Sequence, residues 1–305
     1  MVIASGSGLS GITTRLAGNG VIGDSVFDEW VFNLGIRFYK NATDLKAGEY
    51  AFAPGVSMHE IMTDLVQGNA VTHSVTIPEG WTTAQILERV REHPILVGEI
   101  TDVPAEGDLL PQTYTFARGT TRQEVLAQMK EAQERLLAEI WERRTDDLPV
   151  SSPEELVVLA SIVEKETALA DERPRVAGVF VNRLNKSMRL QSDPTILYGL
   201  YGGEAWLQDR SAIKQSEINA QNEYNTYQID GLPPGPIGNP GRAAMEAVAN
   251  PSRTQDLFFV ADGTGGHVFA ETYEQHQDNV RKWRQIERQR RESEQQQNTE
   301  PATSN

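Results

Sequence analysis

Three segments in the N-terminal half share one helix-start signature, and it constrains the fold more than any other feature. GVSMHEIM, GWTTAQIL and GTTRQEVL, beginning at Gly55, Gly80 and Gly119, all fit G-x-[ST]-x-x-[EQ]-[IV]-[ML]. The Ser or Thr can accept from first-turn amides while the Glu or Gln three residues later bonds back. Strand-like runs, EYAFA at 49–53 and THSVTI at 72–77, precede the first two. The pattern predicts strand–turn–helix units of an α+β fold, and unequal spacing favours independent helix starts over a repeat.

Composition excludes several classes of function. The net charge of −15 and pI of about 4.8 argue against nucleic-acid binding as the main activity. The absence of cysteine excludes disulfides, thiolate metal sites and a cysteine nucleophile. No residues show metal-ligand spacing, so we expect neither metal nor cofactor. No apolar run reaches the roughly 18 residues of a membrane span, which predicts a soluble chain.

The second half is predicted to be largely helical, with one hairpin. The helix after residue 152 should have Ser152 as N-cap, Pro153 at its first position and Glu155 closing a capping box. Other predicted elements are helices at 122–142, 174–188 and about 241–251, and a hairpin over 257–271 with its turn at 262–266. The Gly-, Pro- and Tyr-rich stretch between them reads as an ordered functional loop. The charged C-terminal helix is expected to be a fraying, solvated terminus rather than a lipid or nucleic-acid contact.

The segment IVEKETALA, residues 162–170, places one carboxylate among aliphatic side chains. With 100° per residue from Leu156, the residues Leu159, Ile162, Val163, Leu169 and Ala170 span an arc from about 220° to 340°. Glu166 falls within it at about 280°, whereas Glu164, Lys165 and Ser161 fall on a more polar side. Burial would raise the pKa of Glu166, as a general acid requires. A structural carboxylate paired with Arg173, Arg175 or Arg183 is the alternative.

One acidic group of raised pKa suits glycosidic cleavage, in which the leaving oxygen must be protonated. A hydrolase would need a second carboxylate, for which the candidates are Asp193, Asp230, Asp171 and Asp262. None of them lies in an apolar setting. A mechanism with a single carboxylate, in which the substrate supplies its own nucleophile, therefore fits better.

Four long segments follow one another over about residues 155–270: ASIVEKETALADERPRVAGVFVNRL, RLQSDPTILYG, YNTYQIDGLPPGPIGNPG and LFFVADGTGGHVF. In this order they resemble the MltG/YceG-like family of endolytic murein (lytic) transglycosylases. LKAGEYAFAPGVSMHEIMTDLVQG is similar to the family's small LysM-like domain. EGDLLPQTYTF resembles an EG-x-x-x-PDTY segment, with Gln112 where the family has Asp, which argues against an acid role there.

The resemblance implies cleavage of the MurNAc–GlcNAc bond within peptidoglycan strands, leaving a 1,6-anhydro end. The glutamate before Thr in E-K-E-T is the family's catalytic residue, which is Glu166 here, with Thr167 beside it. Substrate contacts are expected from Thr167, Gln191, Asp193, Tyr224, Asn225, Tyr227 and Asn182, and a rigid groove wall from Pro233, Pro234 and Gly235. His267 is interpreted as a surface histidine.

The resemblance also implies an organisation and a location. We expect a LysM-like domain at 1–73, a YceG-like catalytic domain at 74–290 whose long loops line a glycan groove, and a disordered polar tail at 291–305. Family members are single-pass proteins of the inner membrane with the catalytic part in the periplasm. This chain is expected to be the soluble part of such a protein, without the membrane helix. Cell-wall synthases are expected partners. The alternatives are a non-catalytic glycan-binding scaffold, or a muramidase-type hydrolase using Glu166 with Asp193.

Overall fold

The computed structural model describes residues 1–4, 6–38, 45–207 and 213–299. They fall into two compact units. The first comprises 1–76, 90–101 and 113–125, and the second comprises 77–89, 102–112 and the chain from 126 onward. Each unit therefore combines segments that are distant in sequence, whereas we expected one boundary at residue 73.

The first unit contains short antiparallel strand pairs and amphipathic helices. Its elements are β1 (Val2–Ile3), α1 (Leu9–Gly18), α2 (Val26–Phe38), β2 (Gly48–Glu49), α3 (Met58–Gln67), β3 (Thr72–Thr76) and β4 (Thr113–Ala117). β1 pairs with β2, and β3 pairs with β4 in a register running from Thr72 opposite Ala117 to Thr76 opposite Thr113. Its core is formed mainly by fully buried aliphatic and aromatic side chains, among them Ile12, Leu16, Phe32, Ile36, Tyr50, Ile61 and Leu65.

All three predicted capping boxes are confirmed. Ser57 and Glu60 bond reciprocally at the start of α3. The pair Thr82 and Gln85 does the same before α4 (Thr83–Arg91), and Thr121 and Glu124 before α5 (Arg122–Glu142). The strand at 72–77 is confirmed as β3. The strand at 49–53 was wrong: the two-residue partner β1 reaches only Gly48 and Glu49, and the chain beyond leaves the sheet.

The second unit is built around one buried helix. Its elements are α6 (Pro153–Glu166), α7 (Arg173–Asn185), α8 (Asp193–Tyr201), a 3-10 helix (Gly202–Leu207), α9 (Gln215–Ile218), α10 (Arg242–Ala249), β5 (Phe258–Ala261), β6 (His267–Ala270) and α11 (Tyr273–Thr299). α6 packs against α7 and α10, and every residue from Leu156 to Val163 is buried. The predicted N-cap of α6 is confirmed, since Ser152 accepts from the amide of Glu155. The Glu155 carboxylate instead accepts from Ser151, so the box is not reciprocal.

The C-terminal end of α6 differs from expectation. The helix stops at Glu166 because Thr167 adopts an extended conformation (φ −144°, ψ 132°), so Leu169 and Ala170 do not share its face. Leu169 is 43% exposed. The polar side of the helix was also misjudged, since Ser161 is buried, donates to Val158 O and accepts from the amide of Ile237.

The hairpin of β5 and β6 is confirmed, and α11 packs against both of its strands. α11 extends to Thr299, so 291–299 are helical where we expected a disordered tail, and 300–305 lie outside the described residues. Over the described ranges, no helix combines the length and apolar character that crossing a bilayer requires.

Candidate active site

Glu166, the last residue of α6, is half-buried and held by a short hydrogen bond. The hydroxyl of Ser192 donates to Oε1 of Glu166 at 2.5 Å. Desolvation raises the pKa of Glu166 to about 7, and the nearby Asp193 adds to the rise. The Ser192 hydrogen bond, His267 and Arg183 act in the opposite direction and are outweighed. Near neutral pH the group is thus divided between acid and carboxylate forms, as a proton donor and acceptor requires.

The backbone of Ser192 is held in place by hydrogen bonds to two threonines. The amide of Ser192 donates to Thr226 Oγ1 at 2.9 Å, and Thr195 Oγ1 donates to Ser192 O at 2.6 Å. Thr195 and Thr226 are themselves joined at 2.9 Å between hydroxyls, and both are fully buried. Because Thr195 uses its only hydroxyl hydrogen on Ser192 O, Thr226 must be the donor in that pair. These hydrogen bonds therefore fix the loop around Ser192 and with it the position of the Ser192 hydroxyl.

A cavity of about 400 Å³ opens beside Glu166. Its lining comes from α6, α7, the 190–193 loop, Tyr227, β5 and α11: Glu166, Phe180, Arg183, Leu190, Gln191, Asp193, Tyr227, Phe258, Phe259, Val260, Tyr273, His276, Val280, Trp283 and Arg284. Its volume lies within the range of small-ligand pockets. An ionisable residue of strongly shifted pKa in such a cavity marks a candidate active site.

Three of the expected substrate-contacting residues share this cavity with Glu166. Gln191 lines it from a left-handed backbone conformation (φ 50°), which a side-chain-bearing residue adopts only at a cost. Tyr227 donates its hydroxyl to Asp193 Oδ1 at 2.7 Å, and both line the cavity. Thr167 adjoins Glu166 in sequence, but it is buried, and its Oγ1 accepts from the amide of Leu169.

Two of the expected asparagines have structural partners instead. Asn182 donates to the carbonyls of Thr254 and Asp256 and lines a different cavity, formed with the 250–255 loop. Asn225 is fully buried, and its Nδ2 donates to the carbonyls of Ile218 and Ala220. The structure therefore does not place either amide beside Glu166.

Tyr224 and the expected groove wall lie near Glu106 rather than in the Glu166 cavity. The rings of Tyr224 and Tyr198 are 4.9 Å apart, and the Tyr198 hydroxyl donates to Glu106. Pro234 and Gly235 line a third cavity that includes Glu106, and a Cβ on Gly235 would approach the Tyr224 hydroxyl to 3.1 Å. Pro233 is buried. This group is separate from the residues that line the Glu166 cavity.

The two other charges of IVEKETALA are not surface groups, contrary to the sequence interpretation. The side chain of Glu164 is only 5% exposed, lies 3.4 Å from Arg173 and accepts from the amide of Gly241 at 2.9 Å. Burial raises the pKa of Glu164 and lowers the pKa of Lys165 to about 8. Helical geometry alone placed them on a polar face, but neighbouring segments cover that face.

Sequence reasoning missed Ser192, the Thr195–Thr226 pair and the contribution of α11. A serine before Asp-Pro reads as an ordinary helix cap, and only the fold brings it to Glu166. His267, expected on the surface, lies 2.7 Å from Glu172 with 17% of its side chain exposed. Within the described ranges, no group of three or more potential ligands is arranged to hold a metal ion.

Chemically, the arrangement offers a carboxyl group that can be protonated, a neutral hydroxyl donor to it, and cavity walls of mixed polar and apolar side chains. Such a set can protonate a leaving oxygen and later take a proton back. Asp193 is a second carboxylate in the same cavity, but it is exposed and already accepts from Tyr227.

Comparison with known proteins gives a consistent family assignment. A model described as the YceG-like family matches residues 1–282. Relatives named endolytic murein transglycosylase occur in Streptococcus pneumoniae (32% identical, covering 91% of this chain and 57% of theirs) and in Bacillus subtilis (31%, covering 90% and 81%). The chain thus spans just over half the length of the pneumococcal relative.

A solved structure agrees with these sequence matches. The crystal structure of a yceG-like protein from Listeria monocytogenes is similar at a TM-score of 0.55 and 30% identity, covering 91% of this chain and 97% of the other. The family model, the relatives and this structure each cover most of the chain. The chain belongs to the YceG-like family.

Proposed function

We propose that the chain is an endolytic murein transglycosylase with Glu166 as its acid and base. The observation that carries the proposal is a carboxyl group with a pKa near 7, bonded to Ser192 and lining a cavity. Support comes from relatives named endolytic murein transglycosylase in two genera. A purely glycan-binding scaffold has no need of a carboxyl group whose pKa is raised by desolvation, so this group argues against that alternative.

The proposed reaction has two proton transfers and no water. Protonated Glu166 gives its proton to the glycosidic oxygen as the bond from that oxygen to C1 of the muramic acid breaks. Because Oε1 accepts from Ser192, the proton is assigned to Oε2. The Glu166 carboxylate then removes the proton of the muramic-acid O6, which bonds to C1 and closes the 1,6-anhydro ring. Ser192 donates to Glu166 in both states, so the side chain need not move between steps.

Gln191 and Tyr227 are assigned to substrate binding because their polar groups line the same cavity. A carboxamide can both donate to and accept from sugar hydroxyl and N-acetyl groups. The oxocarbenium-like charge at C1 would be stabilised by the Glu166 carboxylate and by the substrate's own N-acetyl group.

Product analysis tests this function. Purified glycan strands would be digested and the fragments weighed by mass spectrometry, with the Glu166→Gln variant as the matched control. Anhydro ends that disappear in the variant are expected, with a loss on the order of 100- to 10,000-fold. A variant that cleaves as fast as the parent would exclude Glu166 as the acid, and an absence of any product from the parent would favour a scaffold.

A muramidase-type hydrolase is the second candidate, because Asp193 lines the cavity with Glu166. In that reaction water attacks C1 and the new end is reducing, one water heavier than the anhydro product. The same mass measurement separates the two. Asp193→Asn should abolish a two-carboxylate reaction, whereas the transglycosylase should retain most of its rate.

We further propose where and on what the enzyme acts. By family likeness, the 1–73 segment is a LysM-like glycan-binding domain, and the enzyme is anchored at the outer face of the cytoplasmic membrane. There it would cut nascent strands, limit their length and meet cell-wall synthases. Strands labelled during synthesis should then be cut before older strands, and an equal rate on both would contradict this preference.

A further inference from the structure

Helix α11 forms one wall of the Glu166 cavity. Tyr273, His276, Val280, Trp283 and Arg284 all line it. Their spacing of three, four, three and one residues places them along a single helical face. The sequence suggested that this helix is a solvated terminus, but it forms part of the candidate active site.

α11 is fixed against the hairpin along much of its length. Phe258 of β5 stacks on His276 at 5.1 Å and lies 5.9 Å from Tyr273. Further along, a Cβ on Gly263 would come within 2.9 Å of Ile286, and Arg290 donates to the Gly263 carbonyl. Contacts at both ends of this stretch hold Trp283 and Arg284 at the cavity.

The charge of this stretch is opposite to that of the chain. Residues 281–291 contain one acidic residue, Glu287, and the basic residues Arg281, Lys282, Arg284, Arg288, Arg290 and Arg291, in a chain of net charge −15. Arg281 is paired with Asp278, and Arg291 with Glu287. Arg284 is the member of this set that lines the cavity, where its positive charge favours an anionic ligand.

Two guanidinium groups line the cavity, and they differ in their availability. Arg183 donates to the carbonyls of Leu257 and Leu190, so its role is to hold the loop. Arg284 is exposed, and the described part of the chain supplies no hydrogen-bond or ion-pair partner to it. Its planar group remains available to bind a carboxylate in a bidentate manner.

We propose that α11 recognises the peptide stem of the substrate. In this proposal Arg284 binds a stem-peptide carboxylate, and Trp283 packs on a sugar ring. The choice of ligand rests on the proposed function, because muramic acid in peptidoglycan carries a short acidic peptide. The aromatic face of Trp283 suits the C–H face of a pyranose ring, and the guanidinium suits the peptide. The site would therefore favour peptide-bearing strands over bare glycan.

Binding measurements on the Glu166→Gln protein test this without turnover. The probes are a soluble peptidoglycan tetrasaccharide with its stems and the same sugar after an amidase has removed them, compared by calorimetry. We expect the peptide-bearing probe to bind roughly 10-fold more tightly than the bare sugar. This affinity gap between the two probes should shrink at high salt. Arg284→Ala should abolish the gap and leave the bare-sugar affinity unchanged, while Trp283→Ala should weaken both probes equally.

Arg288→Ala is the matched control, since Arg288 lies one turn further on α11 and is not among the cavity residues. It should retain the gap. A gap that survives Arg284→Ala, or an equal loss for both probes in that variant, would overturn the assignment of Arg284. Failure of the proposed function would instead appear as an absence of anhydro products from the unmutated enzyme, whatever the binding data show.

Discussion

The hydroxyl of Ser192 and Oε1 of Glu166 are 2.5 Å apart, joining the N-terminal end of α8 to the C-terminal end of α6. This contact orients the carboxyl group and offsets part of the rise in pKa that burial produces. It also decides which oxygen carries the proton. Much of the chemistry proposed above depends on this bond.

Replacing Ser192 by Ala should raise the pKa of Glu166 above its value of about 7, because the hydrogen bond that favours the carboxylate is lost. The alkaline limb of the kcat/KM profile, which reports loss of the acid form, should move to higher pH. The maximal rate should fall about 10-fold as the carboxyl becomes less well oriented. The measurement is kcat/KM against pH. Ser216→Ala, at an exposed site in α9, is the control, and an unmoved limb in Ser192→Ala would refute the role.

Glu166→Gln should lose activity yet gain stability at alkaline pH. The folded-state pKa of about 7 lies above the ordinary glutamate pKa of 4.5, so the unfolded chain releases this proton first as the pH rises. The native protein therefore loses stability between about pH 4.5 and 7, by about 3 kcal/mol in all. The variant lacks this penalty. Urea unfolding at pH 4 and pH 8 should show near-equal stability at pH 4 and a more stable variant at pH 8; an equal difference at both would contradict it.

Asn239→Ala should destabilise the second unit by about 3 kcal/mol. The fully buried Asn239 side chain accepts from the amide of Leu109 and donates to Glu106 and to the Trp81 carbonyl. Its loss leaves several buried groups unpaired, including a carboxylate. Chemical denaturation measures the effect. Asn219→Ala at an exposed site should be neutral, and a loss under 1 kcal/mol at Asn239 would be inconsistent with this network.

Two variants at Gln191 should separate its backbone from its side chain. With φ at 50°, glycine relieves strain that alanine retains, so Gln191→Gly should be about 1 kcal/mol more stable than Gln191→Ala. Both variants lose the carboxamide that lines the cavity, so both should raise KM to a similar degree. Thermal unfolding and steady-state kinetics report the two effects. A KM that differs strongly between the variants would show that the backbone, not the carboxamide, matters.

Features that depend only on neighbouring residues could be predicted from the sequence. The capping pairs at Ser57, Thr82 and Thr121 bond over three residues, so their geometry follows from local sequence. The hairpin turn at 262–266 is equally local, with Asp262 accepting from the amide and hydroxyl of Thr264. The helical prediction for the segment that ends at Glu166 was local as well, although Leu169 and Ala170 lie beyond the end of the helix and do not share its face.

Contacts between residues that are distant in sequence could be seen only in the folded structure. Glu164 is buried against Arg173 and the backbone amide of Gly241, which belong to other segments. A helical wheel of α6 cannot show these contacts. Ser192 reaches Glu166, and Arg284 reaches the same cavity, only through the packing of α8 and α11 around α6 and the hairpin. Local sequence specifies where helices start and which face is apolar. The environment that raises the pKa of Glu166 arises from segments far apart in the chain, whose approach is a property of the packed fold.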